Sequence, residues 1–387
     1  VSVFLYHFSN SKLCYIFNQI FIMSAIPDTF QGFAVSSGKT WNQPKLVSYQ
    51  RRRINPNDVV VENICCGLCA SDLLTVKESW APLQRDDAVV GHEIIGHVIA
   101  VGDDVKTFKV GDRVGIGAAT NGCGECANCK SDNEQFCPKS VDTYNCPDSF
   151  ADDYITQGGY ASHSIANEQF CFHVPKEIES TAAAPLMCAG LTVYSPLVRN
   201  IGHLKNPVVG IVGIGGLGHL ALQFAKALGA EVYALSRGHS KEKEALSLGA
   251  DGFIATHEDK DWEQEHSQKF DFILSCASSV KDFPLEKYLL TLKVNGRFVS
   301  VGLPPTDETL TVHPFNFASN GTSFGSSHLG SKAEATDMLQ LAAEKGIRPM
   351  IEEVPITEKS CGESLTRCDK NDVRYRFVFT EFDKAFK

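Results

Sequence analysis

The strongest constraint on this chain is a run of four cysteines, Cys123, Cys126, Cys129 and Cys137, in the loop-like segment NGCGECANCKSDNEQFCP. Their spacing is C-x2-C-x2-C-x7-C. Four thiolates are the donor set of a tetrahedral structural zinc, and close pairs let one loop wrap the ion. Unrelated thiols or a disulfide cluster rarely arise at this spacing. Four sulfurs leave no open coordination position, so this site is expected to be structural. The chemistry must come from elsewhere in the chain.

With 387 residues there is room for two or three domains and a substantial core. Hydrophobic residues at 43% and charged residues at 21% fit an ordinary globular protein. The formal net charge of −10 argues against nucleic acid as a partner, because that needs a basic face. Six of the 14 cysteines are candidate metal ligands, and the other eight show no disulfide-framework spacing. That usage points to a reducing, cytoplasmic compartment. Residues 1–22 are fairly apolar, but polar residues interrupt them and Lys12 is their one fixed positive charge. They read poorly as a signal peptide and are too broken for a membrane span. The expected native start is Met23, with the leader an upstream extension; a mitochondrial presequence is the alternative.

From about residue 40 to 120, short β-like runs alternate with turns (VVVENICCGLC, VVGHEIIGHVIAVG, VGDRVGIG), as in a compact antiparallel domain. After the cysteine loop, GGYASHSIAN returns to β character. Near 180 the pattern changes. TAAAPLMCAGLTVYSPLVR reads as one helix, and NPVVGIVGIGGLGHLALQFAKALGAEVYALS as strand, glycine turn, helix, strand. With FDFILSCAS and GRFVSVGLP following, this is the βαβ alternation of a parallel sheet. The tail from about 322 holds a helical EATDMLQLAAEKG and an extended VRYRFVFTEF.

Gly213-Ile-Gly215-Gly216-Leu217-Gly218 follows a strand-like run and opens an amphipathic helix, the context a dinucleotide fingerprint requires. The first glycine permits the tight turn, the second lets backbone approach a pyrophosphate, and the last lets helix and strand pack closely. The helix N-terminus then offers free N–H groups to phosphate. At the tip of the next strand an NAD site usually carries an acid for the ribose 2′-hydroxyl. Here the tip is Ser236-Arg237, with Lys241 nearby and no acid until Glu242. Those residues suit a 2′-phosphate, so NADP(H) is expected.

Three further candidate ligands are scattered: Cys69 in GLCASD, His92 in GHEIIG and Cys188 in PLMCAG. Each alone reads as a packed thiol or a structural histidine. Together they offer two thiolates and an imidazole, a catalytic zinc set with an open position that polarises a carbonyl or lowers an alcohol's pKa. Glu93 is placed to act behind the metal, Asp72 to fix the His92 tautomer, and Ser71 to pass a proton to the substrate oxygen.

GHEIIG, the four-cysteine loop, PLMCAGLTVY, GIGGLG and NDVRYRF occur in that order, and the chain resembles the zinc-containing medium-chain alcohol dehydrogenases. It is most similar to the cinnamyl-alcohol-dehydrogenase branch, particularly fungal NADP(H)-dependent members of broad specificity, over roughly residues 27 to 387. The resemblance implies an α/β protein: a GroES-like, β-rich catalytic domain (23–187), a Rossmann doubly wound parallel-sheet domain (188–325) and a C-terminal return to the first domain (326–387). It implies a homodimer, one catalytic and one structural zinc per chain, and catalytic zinc held by Cys69, His92 and Cys188 with Glu93 as an occasional fourth ligand. It extends the cofactor contacts from Gly213, Gly215, Gly216, Leu217, Gly218, Ser236, Arg237 and Lys241 to Thr192, Ser275, Gly302, Ser327, His328 and Leu329.

One position departs from the family pattern. Three residues after Ser71, where a histidine often ends a proton relay, this chain has Leu74. Leu74 and Trp80 favour apolar aromatic or medium-chain aldehydes over polyols. The expected function is NADP(H)-dependent zinc alcohol dehydrogenase or aldehyde reductase acting on small molecules, with neither nucleic acid nor membrane as partner. A zinc-free quinone or enoyl reductase would lack the three-ligand set. A binding protein without turnover would have no use for intact Cys69, His92, Cys188 and Ser71.

Overall fold

A computed structural model describes residues 26–386. The proposed Met23 start and the 1–22 leader lie outside these residues. Two sheets organise the chain. The first is a mostly antiparallel seven-stranded sheet centred on Asp58–Leu68. That strand is rich in β-branched and small apolar residues and is buried along nearly its whole length, because Glu93–Val101, His163–Asn167 and Arg376–Thr380 all pair with it. Its register with Glu93–Val101 slips at Val60/Val61 and again at Asn63/Cys65. Such bulges bend a strand and increase its twist. The Asn63 amide bonds the Ala161 carbonyl and the Ser164 hydroxyl across the second slip.

The second sheet is parallel and six-stranded, in the order Gly252–Ala255, Glu231–Ser236, Val208–Val212, Phe270–Ser275, Leu292–Ser300, Ser323–Ser326. Chain order along it is 3-2-1-4-5-6, the doubly wound arrangement with a crevice between its first and fourth strands. The central strands Val208–Val212 and Phe270–Ser275 are near-continuous apolar runs because both their faces are covered. Strands Ile351–Pro355 and Arg376–Thr380 then return the chain to the first sheet. One buried cluster runs across both sheets, from Ile95 and Phe172 to Ile211 and Leu220, joined by helix Ala189–Ile201.

The segment TAAAPLMCAGLTVYSPLVR is not one helix. A short turn at Ser180–Ala183 passes into 3-10 geometry at Ala184–Met187, and the long helix starts only at Ala189. Pro185 cannot donate an N–H to a continuous helix, and Cys188 leaves helical geometry with φ −122° and ψ −70°. The break sets the Cys188 thiol at the start of a new helix, whose first bond runs from the Thr192 N–H to the Cys188 carbonyl.

Candidate active site and metal centres

The register of the first sheet brings distant residues together. Gly67 pairs with Glu93 and Leu68 with Phe377, so Cys69, His92 and Arg376 emerge at one end of three neighbouring strands. Cys188 meets them from the helix break. Among the described residues, Cys69, His92, Glu93 and Cys188 form one of two groups of potential metal ligands, with donor atoms all within 4.8 Å of one another. His92 Nε2 lies 3.1 Å from Cys188 Sγ, and all four residues are buried. Two thiols, an imidazole and a carboxylate fit zinc.

Electrostatics around this group are strong. The hydrogen bond with Cys188, with Arg376 and His92 nearby, holds the Cys69 thiol well below its ordinary range despite burial. Burial pushes the Glu93 carboxyl up to about 7 against the pull of Arg376. Glu93 Oε1 pairs with Arg376 Nη2, while Glu93 Oε2 has no hydrogen-bond partner and is free to face a cation. The Ser71 hydroxyl is 3.7 Å from Cys69 Sγ. The Nδ1 of His92 is 2.9 Å from Asp72 Oδ1, which leaves Nε2 as the metal-facing nitrogen.

The second group is Cys123, Cys126, Cys129 and Cys137. Neighbouring sulfurs stand 3.5 Å apart (Cys126–Cys129 and Cys123–Cys137) and 3.9 Å apart (Cys123–Cys129). Zn–S bonds of about 2.3 Å in a tetrahedron set sulfurs about 3.8 Å apart, whereas a disulfide needs about 2 Å. Backbone N–H groups of Cys126, Cys129, Cys123 and Lys139 point at Cys123, Cys126, Cys137 and Cys137 respectively, at 3.3–3.5 Å. Such bonds stabilise thiolates.

The buried group opens into a cleft of about 500 Å³ between the two sheets. Ser71, Leu74 and Trp80 line its first-sheet side, and Thr192 of helix Ala189–Ile201 lines it together with Gly215, Gly216, Leu217, Lys241 and Gly302. Trp80 is held by a 3.2 Å bond from Nε1 to the Pro304 carbonyl. Gly213 has φ +85°, and a Cβ at Gly218 would sit 1.9 Å from the Gly213 carbonyl oxygen, so both positions require glycine. A Cβ at Gly215 would meet nothing within 4 Å, which leaves room for a ligand. Ser275 ends the fourth strand at the crevice. Ser327 N–H bonds the Ser300 carbonyl, His328 lines the cleft, and Leu329 packs on Cys69 and Cys188. Leu329 does so at φ +53°, a strained backbone for a bulky residue.

At the second strand tip, Ser236 and Arg237 stand beside Lys241, whose Nζ bonds the Ile214 carbonyl in the glycine turn at 2.5 Å. Glu258 and Asp259, distant in sequence, also reach this tip. Both are tied to His239: Glu258 accepts its backbone N–H at 3.1 Å, and Asp259 lies 2.9 Å from its Nε2.

Several residues at the site carry no clear signal in the sequence. Arg376 sits inside the NDVRYRF run, yet no periodicity marks it as the partner of Glu93; it also contacts the glycine turn, since a Cβ at Gly216 would lie 3.0 Å from its Cδ. His219 is fully buried; its Nδ1 bonds the Gly215 carbonyl at 2.9 Å and its Nε2 accepts the Met350 N–H at 3.1 Å. Tyr144 and Tyr160 approach His92 and Asp72. Of these, only His219 offers a usable cue, its position directly after the glycine turn.

Residues 55–176 match the Alcohol dehydrogenase GroES-like domain, and residues 216–344 the Zinc-binding dehydrogenase domain. The NADP-dependent alcohol dehydrogenase 6 of Saccharomyces cerevisiae is 41% identical over 361 residues, covering 93% of this chain and 99% of its own. The chain belongs to the zinc-type alcohol dehydrogenase family. Within that family it is similar in structure to a cinnamyl alcohol dehydrogenase from Sorghum bicolor (TM-score 0.84, 34% identity, 91% of this chain and 97% of that one). It is also similar to a CAD from Helicobacter pylori complexed with NADP(H) (TM-score 0.82, 32% identity, 92% and 99%). This dehydrogenase therefore has the GroES-like and Rossmann architecture expected of it.

Proposed function

We propose that the protein is an NADP(H)-dependent zinc alcohol dehydrogenase, an oxidoreductase that interconverts aromatic or medium-chain aldehydes and their alcohols. The reaction is aldehyde + NADPH + H⁺ ⇌ alcohol + NADP⁺. The observation that carries it is the convergence of Cys69, His92, Glu93 and Cys188 in the cleft that also holds the glycine turn. Bound at these residues, zinc and NADP(H) supply Lewis acidity and a hydride donor. Cys69, His92 and Cys188 hold the metal, with Glu93 behind it; the cysteine loop holds a second, structural ion.

Asp72 orients the His92 ring. The Ser71 hydroxyl moves a proton to or from the substrate oxygen. With Leu74 in the place of a relay histidine, the outer part of that path runs through water or the cofactor ribose. Leu74 and Trp80 give the substrate an apolar wall. Gly213, Gly215, Gly216, Leu217 and Gly218 bind the pyrophosphate, and Ser236, Arg237 and Lys241 the 2′-phosphate. Thr192, Ser275, Gly302, Ser327, His328 and Leu329 seat the nicotinamide half.

We assign residues 23–187 to the catalytic domain, 188–325 to the cofactor domain and 326–387 to the returning segment; the pairing of Arg376–Thr380 with Asp58–Leu68 supports that return. A homodimer is supported by the open edge strand Ser323–Ser326 and by exposed Val294 and Phe315 on the same domain. Among the described residues no single helix is long and apolar enough to cross a membrane, and the cysteine usage supports a cytoplasmic location.

The test is zinc content with cofactor-resolved turnover. Two zinc ions per chain and NADPH-dependent reduction of cinnamaldehyde are expected. A protein with zinc only in the loop, or one without turnover, overturns the assignment. A higher kcat/KM for sorbitol than for benzaldehyde-type aldehydes overturns the substrate class.

A further inference from the structure

Asp72 is the most heavily bonded carboxylate near the site. It is fully buried and takes four donors. Its Oδ2 accepts the Cys69 N–H at 2.8 Å and the Tyr160 hydroxyl at 2.9 Å. Its Oδ1 accepts the Gly91 N–H at 3.2 Å and faces His92 Nδ1 at 2.9 Å. Two of these donors are backbone groups of the turns that carry Cys69 and His92. The third is the ring that needs orienting. Tyr160 alone comes from outside, 88 residues along the chain from Asp72.

The surroundings of Tyr160 are shaped to deliver that hydroxyl. Residues 158–160 bond residues 89–91, the stretch that leads directly into His92. Gly158 N–H meets the Val89 carbonyl at 2.7 Å, Gly159 N–H the Gly91 carbonyl at 2.7 Å, and Tyr160 N–H the Val90 carbonyl at 3.0 Å. The ring then crosses Gly91, where a Cβ would lie 2.5 Å from Tyr160 Cδ1, and stacks edge-on against Phe379 with centroids 4.9 Å apart. Backbone and hydroxyl of Tyr160 thus close a loop of hydrogen bonds around the imidazole. A competitor is close by: the Tyr144 hydroxyl lies 3.1 Å from the same His92 Nδ1. The single proton on Nδ1 goes to Asp72 only while the carboxylate holds its orientation.

We propose that Tyr160 is a positioning residue for the metal-binding imidazole: its hydroxyl fixes Asp72, and Asp72 fixes His92. This rests on the zinc reading of the Cys69–His92–Glu93–Cys188 group. Without the hydroxyl, Oδ2 keeps one donor, the carboxylate swings, and Nδ1 exchanges Asp72 for Tyr144. Partners outside the ligand set commonly change metal affinity 10–100-fold, so a residue one step further out should change it by about three- to tenfold.

The experiment follows zinc release from the full chain to a colorimetric chelator, with total zinc measured first. Wild-type protein should hold two ions that leave in separable phases; a Cys126→Ser variant identifies the phase of the loop ion. Tyr160→Phe keeps the ring and removes only the hydroxyl. It should release the buried ion about three- to tenfold faster with the loop phase unchanged. Release of the buried ion at the wild-type rate, or acceleration of both phases together, overturns the proposal. If Tyr160→Phe does not fold, 3-fluorotyrosine at position 160, a stronger donor, decides: it should slow the buried phase, and an unchanged rate overturns the proposal. Wild-type protein with a single ion would sink the zinc reading instead, which keeps the two failures distinct.

Discussion

The cysteine loop and the buried cluster use similar donor atoms and are assembled in opposite ways. The loop gathers its four sulfurs from residues 123 to 137, and three of them stay partly exposed. The cluster gathers its donors from residues 69 to 188, all buried, across two strand ends and a helix break. Closing a short loop costs little chain entropy, so the ion itself can organise the first site. The second needs the sheet register in place before its ligands meet. The fold builds that site and encloses it, with Asp72 and Arg376 packed against its members. The loop suits a structural ion; the cluster suits an ion with a position open to the cleft.

Disrupting one member of each pair is the sharpest way to break this contrast. His92→Ala should lower turnover by about 10³-fold or more, the equivalent of several kcal/mol of charge stabilisation, while zinc falls from two ions to one and the protein stays folded. Cys126→Ser should also leave one ion, but it should retain most of its turnover below its melting point and lose a few kcal/mol of stability. Metal analysis, NADPH oxidation and thermal melts check both. Equal loss of activity in the two variants would erase the functional distinction.

A smaller effect concerns the glycine turn, a local motif anchored by a distant segment. Burial, together with the nearby Arg376 charge, pushes His219 down to about 4 although its bond to the Gly215 carbonyl works the other way. Its Nε2 accepts the Met350 N–H, which requires a neutral ring. Above about pH 6.5 the ring is neutral folded or unfolded, and the full stability is present. As pH falls toward 4 the unfolded chain takes the proton first, and roughly 3 kcal/mol is lost. Denaturant midpoints between pH 4 and 7 should show this slope, and His219→Gln should flatten it.

Arg237→Asp should shift the kcat/KM ratio of NADPH to NADH by about 10²-fold toward NADH, through loss of charge-assisted bonds and added repulsion. An unchanged ratio would refute the assignment of the 2′-phosphate to this strand tip. Leu74→His is expected to have the smallest effect, a rise in kcat of about threefold with a changed solvent isotope effect, because proton transfer is one step among several. Steady-state kinetics in light and heavy water check it.

Local motifs are legible in the amino-acid order, and cross-strand partners are not. The glycine turn can be read because strand, turn and helix are contiguous, and the positions at Gly213 and Gly218 exclude a Cβ for local reasons. A single-helix reading of 181–199 misses the break at Cys188, since apolar periodicity continues through Pro185 while the backbone does not. Arg376 and Tyr160 are unreadable as site residues. Strand register brings Arg376 to Glu93, and the packing of the 158–160 segment on residues 89–91 brings Tyr160 to Asp72 at the start of helix Ala70–Val76. Glu258 and Asp259 at the cofactor strand tip are hidden for the same reason.

The sequence by itself determined the local devices: the four-sulfur loop, the glycine turn and the basic tip at Arg237. Each is recognisable because its defining residues lie close together along the chain, even where distant segments such as Met350 brace it. The tertiary structure decided which lone thiols and which imidazole share a pocket, how Glu93 is countered by Arg376, and how Tyr160 reaches Asp72. Those contacts depend on strand register and on the packing of two sheets, which bring residues tens to hundreds of positions apart within a few ångströms.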